Sequence, residues 1–378
     1  MPDIEALNAV AAGDIEGVNG VAKADIETVN GAGIPASGAT RWVVATENGY
    51  IAYAANSDRT SWTAYDGVSG TEDNDDIGFG KNNGGSAIYI ATRNGSTREL
   101  TISGTNVTTD AEWTDINLDG ADNDRIMQIL WGARSDGTAA GTWMAVGDQD
   151  GEQIYRSIDG GANWSAIDLS GLTNHATNDY INGVASDGSG NWMFAQDDRL
   201  YYSTNDGASF AVSTPFTSGG TPGRPQGIVY TNSSWVLCYS RSSAIRFRSC
   251  AGSDITDWGT EVDGINMTHL TANHLTVKMA AAAGRVAAIS ELDDDLNYFD
   301  VSGKAISNLA KVDLSMGADK AEDIATDGSS WLIAATDGDI WESTDSAESW
   351  SQTVDGFQAD GSNTLDLQSI TCDVLLPL

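Results

Sequence analysis

The chain repeats itself roughly every fifty residues, and no other feature constrains its fold so tightly. One unit reads Trp331-Leu-Ile-Ala-Ala-Thr-Asp-Gly, then Ile340-Trp-Glu-Ser-Thr-Asp345, then Ser349-Trp350. The same grammar runs through Trp143-Met-Ala-Val-Gly, Ile154-Tyr-Arg-Ser-Ile-Asp159-Gly-Gly and Asn163-Trp164. A third copy is Trp192-Met-Phe-Ala, Leu200-Tyr-Tyr-Ser-Thr-Asn-Asp206-Gly and Ser209-Phe210. Each apolar run is short, rich in β-branched or aromatic residues, and bounded by Gly, Asp, Asn or Ser. That is the chemistry of strands and tight turns, not of helices. The 42 glycines against 6 prolines in 378 residues supply turns in the number such a fold needs.

Two markers measure the period. An aromatic residue near the last strand of each unit falls at Trp62, Trp113, Trp164, Phe210, Trp258 and Trp350, spaced 46–51 residues apart with one double step across a degenerate unit near Ile306. The second strand begins near Trp42, Ala87, Trp143, Trp192, Trp235, Arg285 and Trp331. Four strands per unit at this spacing predict a seven-bladed β-propeller, an all-β ring. The unit that begins at Arg41-Trp42 has no first strand ahead of it, whereas Leu367-Gln-Ser-Ile-Thr-Cys-Asp373 stands spare and in phase near the other end. The pattern therefore predicts that the C-terminal strand completes blade one, which removes an exposed sheet edge. The expected organisation is an anchor over 1–34, a linker over 35–40 and the propeller over 41–378.

Ser157-Ile-Asp159-Gly-Gly161-Ala-Asn-Trp164 resembles the Asp-box of BNR-type propellers such as sialidases. Ser343-Thr-Asp345-Ser-Ala-Glu-Ser-Trp350 is a second copy. Ser203-Thr-Asn-Asp206-Gly-Ala-Ser-Phe210 is a looser one, with its Asp one position late and Phe in place of Trp, and Asn56-Ser-Asp58-Arg-Thr-Ser-Trp62 is looser still. The resemblance implies a structural role in which Ser and Asp oxygens accept backbone N–H groups and the ring packs between sheets. It implies a fold, not a reaction. Sialidase chemistry would need three arginines on a substrate carboxylate, a Tyr–Glu nucleophile pair and a general acid. The candidates Arg41, Arg93, Arg125, Arg224, Arg246 and Arg285 do not fall at matching positions of the units, and the nearest string to the family signature, Pro222-Gly-Arg224-Pro225, lacks its aromatic residue and its Ile. No catalytic residue is assigned and no enzyme is expected, with a sialidase-like glycoside hydrolase acting on host glycan as one alternative. A propeller-type assembly factor is the other.

Residues 3–33 follow a different period of 11: Asp3-Ile-Glu-Ala-Leu-Asn8, Asp14-Ile-Glu-Gly-Val-Asn19 and Asp25-Ile-Glu-Thr-Val-Asn30. Ile4 and Leu7, Ile15 and Val18, and Ile26 and Val29 are each three apart, so each pair would share one side of a helical turn capped by Asp. Asn8, Asn19 and Asn30 then close each turn, with Asn-Gly breaking the chain at the last two. Two apolar side chains per repeat cannot form a core, so the stripe is expected to dock on a partner. These repeats resemble segments that precede appendage domains in structural proteins of marine tailed bacteriophages. The resemblance implies a virion protein assembled in the host cytoplasm, docked through residues 1–34, with its propeller facing outward toward a host glycan or protein. It leaves room for a homo-oligomer.

Charge narrows the partners. With 19 Lys plus Arg against 54 Asp plus Glu, the formal net charge is −35. That field repels nucleic-acid backbones and anionic lipid headgroups, and no apolar run is long enough to insert into a membrane. Acidic clusters at 72–76, 119–124 and 293–295 read as solvated loops, the last two as contact loops. Asp148-Gln-Asp150-Gly-Glu152 has the oxygens a structural Ca²⁺ would take, but the other ligands of a calcium loop do not follow. His175, His269 and His274 lack the cysteine spacing of a zinc site. No metal or other cofactor is expected, and Cys238, Cys250 and Cys372 read as buried thiols.

Overall fold

The computed structural model describes residues 41–373 apart from 47–48, 66–72, 95–97, 104–112, 119–125, 148–153, 170, 173–180, 197–198, 214–223, 242–243, 269–276, 291–292, 317–319 and 359–364, together with four two-residue strands between 17 and 33. Six four-stranded antiparallel sheets are each built from consecutive strands. Blade 1 runs from Asp73–Lys81 to Thr114–Asn117, blade 2 from Ile126–Gly132 to Ser165–Ala166, and blade 3 from Ile181–Ser186 to Ala211–Ser213. Blade 4 runs from Arg224–Thr231 to Val262–Thr268, blade 5 from Val277–Ala282 to Ala305–Asp313, and blade 6 from Ala321–Thr326 to Ser351–Val354.

The blade count is thereby corrected: six blades are continuous in sequence, where the repeat markers gave seven. The markers Trp42 and Trp62 belong instead to a composite sheet, in the order Leu367–Cys372, Arg41–Thr46, Ile51–Ala55 and Asp58–Tyr65. This closing sheet sits between blade 6 and blade 1 and shuts the ring. The Trp42 unit takes its inner strand from Leu367–Cys372, as the spare C-terminal segment predicted, so it is a composite sheet and not a seventh blade continuous in sequence. Register across the seam pairs Ile370 with Val44 and Cys372 with Trp42.

The second strand of each sheet carries most of the core. Thr142–Gly147 and Trp192–Gln196 are buried at every position, as befits a strand covered on both faces by neighbouring sheets. Trp42, Trp143, Trp192, Trp235 and Trp331 stand at or next to the start of these strands and are at most 2% exposed. Apolar clusters fill each gap between sheets; Phe247 of blade 4, for example, meets Phe299 of blade 5 with ring centroids 4.7 Å apart. The outermost strands are wetter, as in Ala305–Asp313.

In the 11-residue repeats, Val18 pairs with Val21 and Val29 with Ala32, so these positions are strand and not the closing residues of helical turns. Each short hairpin spans an Asn-Gly dipeptide, the pair best suited to a two-residue connection. Ile4, Leu7, Asn8, Ile15, Asn19, Ile26 and Asn30 lie outside the described residues. So do the linker 35–40, the acidic loop 119–124, the Asp148–Glu152 oxygens, Arg125 and all three histidines. No described helix is long and apolar enough to cross a membrane.

Candidate functional site

A central cavity of about 590 Å³ runs between the inner strands of the six blades and the closing sheet. Its wall is built to one plan. Six of the inner strands shift register at the same place: between Asn74 and Ile77, Ile126 and Gln128, Ile181 and Gly183, Pro225 and Gly227, Ala321 and Asp323, and Leu367 and Ser369. Such an irregularity re-aims the side chain beside it. Here it turns Asp76, Gln128, Asp323 and Ser369 toward the next sheet, where each meets a backbone N–H. Asp76 Oδ2 accepts from Ile129 at 2.7 Å, and Gln128 Oε1 from Val184 at 2.8 Å. Asp323 Oδ2 accepts from Ile370 at 3.0 Å, and Ser369 Oγ from Ile77 at 3.4 Å. Asn182 Nδ2 also reaches across, donating to Pro225 O at 2.8 Å. The equivalent positions in blades 3, 4 and 5 are Gly183, Gly227 and Met279, which offer no such acceptor.

This overturns the reading of residues 72–76 as solvated loop charge. Asp73–Lys81 is an inner strand, and Asp76 is 8% exposed. Burial pushes its carboxyl up to about 6, and Asp323 adds to the rise while Lys278 opposes it. Glu322, beside Asp323, is also raised chiefly by burial, against the pull of Lys278 and Lys320. Asp293–Asp295 likewise opens a strand, Asp293–Ser302, and is no contact loop. Asp295 carries an ion pair to Lys311 at 2.5 Å. The signal for the latches was present in sequence as a polar residue followed by Ile near the start of an inner strand. It went unread because acidic residues in a chain this charged look like surface.

The Ser-x-Asp turns are local hydrogen-bond cages. Ser157 Oγ donates to Asp159 Oδ1 at 2.8 Å and accepts from Gly161 N at 2.9 Å. Asp159 takes the Asn163 N–H at 2.9 Å, and Trp164 Nε1 donates to Gly161 O at 2.8 Å. Ser343, Asp345, Ala347, Ser349 and Trp350 repeat the arrangement. In the third copy the role assigned to Asp206 falls to Asn205, whose Oδ1 accepts from Ser203 Oγ at 2.8 Å and Ser209 N at 3.1 Å. Asp206 turns away to blade 2 and takes Ser135 N and Oγ at 2.8 and 2.7 Å. An amide oxygen accepts as a carboxylate does, which frees the carboxylate for the neighbouring sheet. Phe210 packs edge-on against Phe194 at 4.9 Å. Trp62 and Trp258 make the same indole bond three residues back, to Arg59 O and Ile255 O.

One basic cluster was missed. Arg241, Arg246 and Arg248, all from blade 4, converge on Glu261, to which Tyr239 also donates. Arg246 further pairs with Asp263 at 3.1 Å. Despite some desolvation, the bonds from Tyr239 and Arg246 hold the Glu261 carboxyl below its ordinary range. The alternation Arg246-x-Arg248 on one strand was its readable sign. A sialidase clamp would draw arginines from several blades around an open space, whereas here Glu261 fills the cradle. Of the other candidates, Arg285 pairs with Asp300 and Glu348, and the Arg224 residue is exposed. Tyr201 is fully buried, Tyr202 and Trp341 pack against core clusters, and all three cysteines are buried thiols outside any disulfide. Among the described residues, no group of three His, Cys, Asp or Glu side chains could hold a metal ion.

No protein-family model matches the chain, and no curated protein matches it. Solved structures do share its architecture. YCF48 bound to D1 peptide aligns with a TM-score of 0.53 at 12% identity, over 82% of this chain and 90% of that one. The β-propeller domain of Cps50 (Swd1) from Myceliophteria thermophila aligns with a TM-score of 0.51 at 8% identity, over 77% and 89%. The chain has a β-propeller fold.

Proposed function

We propose that the chain is a non-enzymatic binding propeller that serves as a structural or adhesive part of a bacteriophage virion. One observation carries the non-enzymatic half. Asp76, Gln128, Asn182 and Asp323 at the cavity wall are committed to holding neighbouring sheets together, and Asp187 to its own turn, so these groups serve rigidity and not chemistry. A stiff ring that projects many loops suits recognition of a macromolecular surface. The virion half rests on the 11-residue repeats, whose apolar positions need a partner to cover them. In this reading residues 1–34 dock on other virion proteins and the loops face a host glycan or protein.

A second reading, an assembly factor with a peptide partner, draws on the fold shared with YCF48, which is solved bound to D1 peptide. Mass spectrometry of purified particles against infected-cell lysate separates the two: a virion part is found in both, an assembly factor in lysate alone. Deleting residues 1–34 is expected to leave a soluble propeller that no longer joins the particle. Normal incorporation of the truncated chain would end the anchor proposal. Hydrolysis of fluorogenic sialosides or host polysaccharide by the purified protein would end the non-enzymatic one.

A further inference from the structure

Three groups at the seam, Asp76 and Ser369 buried and Asp323 half-buried, pose a problem of proton arithmetic. Ser369 Oγ lies 2.5 Å from Asp76 Oδ1 and 2.7 Å from Asp323 Oδ2. A serine hydroxyl has one hydrogen, so it can donate to one of these carboxyls only. Two ionised carboxylates would leave the other contact as oxygen against oxygen, with like charges held together in a buried site. A hydrogen on one carboxyl resolves both difficulties. Asp323 already accepts the N–H groups of Ile324 and Ile370 at 2.9 and 3.0 Å. Asp76 keeps only Oδ2 for the Ile129 N–H and is the more deeply buried. The hydrogen therefore belongs on Asp76 Oδ1, donating to Ser369 Oγ, which in turn donates to Asp323.

We propose that the ring is fastened by this single proton, which joins blade 1, the C-terminal strand and blade 6 through Asp76, Ser369 and Asp323, and that its loss loosens the seam. The three groups come from positions as far apart as 76 and 369, and they meet where the two ends of the propeller chain close the circle. A proton here controls the one sheet whose strands are not continuous in sequence.

Other charges around Asp76 are few. Lys278 of blade 5 faces it and favours the ionised form. Glu322, Lys320 and Asp366 act on the Asp323 side, with Lys278 between them. The inner strand of blade 2 has no titratable residue. Tyr89, Arg41, Cys372 and Asp373 group together further along the flanking strands. A carboxyl raised to about 6 when folded, against an ordinary 3.8, binds its proton more tightly in the closed ring than in an opened one. The closed ring therefore gains from the proton in full below about pH 4, loses that gain between pH 4 and 6, and lacks it above.

Hydrogen exchange of the Leu367–Cys372 amides in the full chain, corrected for intrinsic rate, tests this. Opening is expected to become roughly a hundredfold more frequent from pH 4 to pH 7, the ratio that a two-unit displacement gives. Asp76→Asn imitates the protonated acid, with its amide donating to Ser369 and its oxygen accepting from Ile129, so its exchange should not vary over that range. Asp323→Asn removes the second charge but leaves the burial of Asp76, so it should reduce the pH dependence without abolishing it, which covers the case in which Asp76→Asn fails to fold. Carboxyl carbon NMR should show Asp76 protonated at pH 5. An equal pH slope in wild type and the folded variants, or an ionised Asp76 at pH 5, would overturn the proposal.

Discussion

The ring is held together in two different ways. From blade 6 through the closing sheet to blades 1, 2 and 3, each sheet reaches into the next with an acceptor at the cavity wall: Asp323, Ser369, Asp76 and Gln128. From blade 3 to blade 6 the same position holds Gly183, Gly227 and Met279. There the sheets approach closely, and a Cβ on Gly227 would stand 3.3 Å from Met279 Sδ. The bonded arc contains the join between chain ends, where Leu367–Cys372 meets Arg41–Thr46 with no connecting turn between them. A hydrogen bond fixes distance and direction, whereas apolar contact fixes neither so sharply. In the other arc this cavity-wall position makes no such bond, and the sheets are joined by close packing and by bonds placed elsewhere, such as Asn182 to Pro225 O and Asn297 to Ile265.

The largest test removes the join. A chain ending at residue 366 loses Leu367, Ile370 and Cys372, all buried, and bares the edge of Arg41–Thr46. Each buried aliphatic side chain lost in this way costs about 2–5 kcal/mol. Two of them approach the total stability of a typical domain, about 5–15 kcal/mol. The truncated chain is therefore expected to aggregate in size-exclusion chromatography. A monomer with unchanged melting temperature would show that the seam matters no more than any other interface.

The next contrast sets the arcs side by side. Gln128→Ala leaves the Val184 N–H without its acceptor at the blade 2–3 interface, at a cost of about 1–3 kcal/mol. Met279→Leu in the other arc keeps volume and apolarity and should cost less than about 1.5 kcal/mol. Urea denaturation of both variants reads the difference directly. Equal losses would erase the distinction between the arcs.

Sequence exposed the two halves of the architecture unequally. Strand periodicity and the Trp-led strands were plain, because a buried strand must be apolar along its length and Trp42, Trp143, Trp192, Trp235 and Trp331 announce one. The number of self-contained blades was not, since Trp42 marks a sheet that borrows its inner strand from residue 367 onward. The turn copies were legible down to Ser157, Asp159, Ser343 and Asp345. Asn205 and Asp206 exchanged roles because either side chain can accept, and only the backbone decides which one faces the turn. Asp76 and Asp323 did not stand out from 54 acidic residues, because a polar residue before Ile is a weak mark and their place at the cavity wall is settled by a register shift that no composition records. The three arginines around Glu261 were visible as an alternation on one strand, but their common target lies beyond the next turn.

The smallest effect contrasts the seam carboxyl with the carboxyls outside the cavity wall by sign. Glu261 of blade 4 is held below its ordinary range by Tyr239 and Arg246, and Asp159 and Asp345 are lowered by bonds within their turns. A group depressed on folding contributes stability above its unfolded value, and that contribution is lost as pH falls toward its folded one. These three should therefore weaken the fold as pH drops below about 4, opposite in direction to Asp76, whose proton strengthens the seam between pH 6 and 4. Asp345 is exposed and Asp159 and Glu261 are partly so, and screening holds each contribution to the order of 1 kcal/mol. Glu261→Gln should flatten the acid limb of the melting curve below pH 4 while leaving the range from pH 4 to 7 as in wild type. Asp76→Asn should do the reverse. A single variant that changed both limbs would show that the seam and the outer carboxyls respond to protons as one unit.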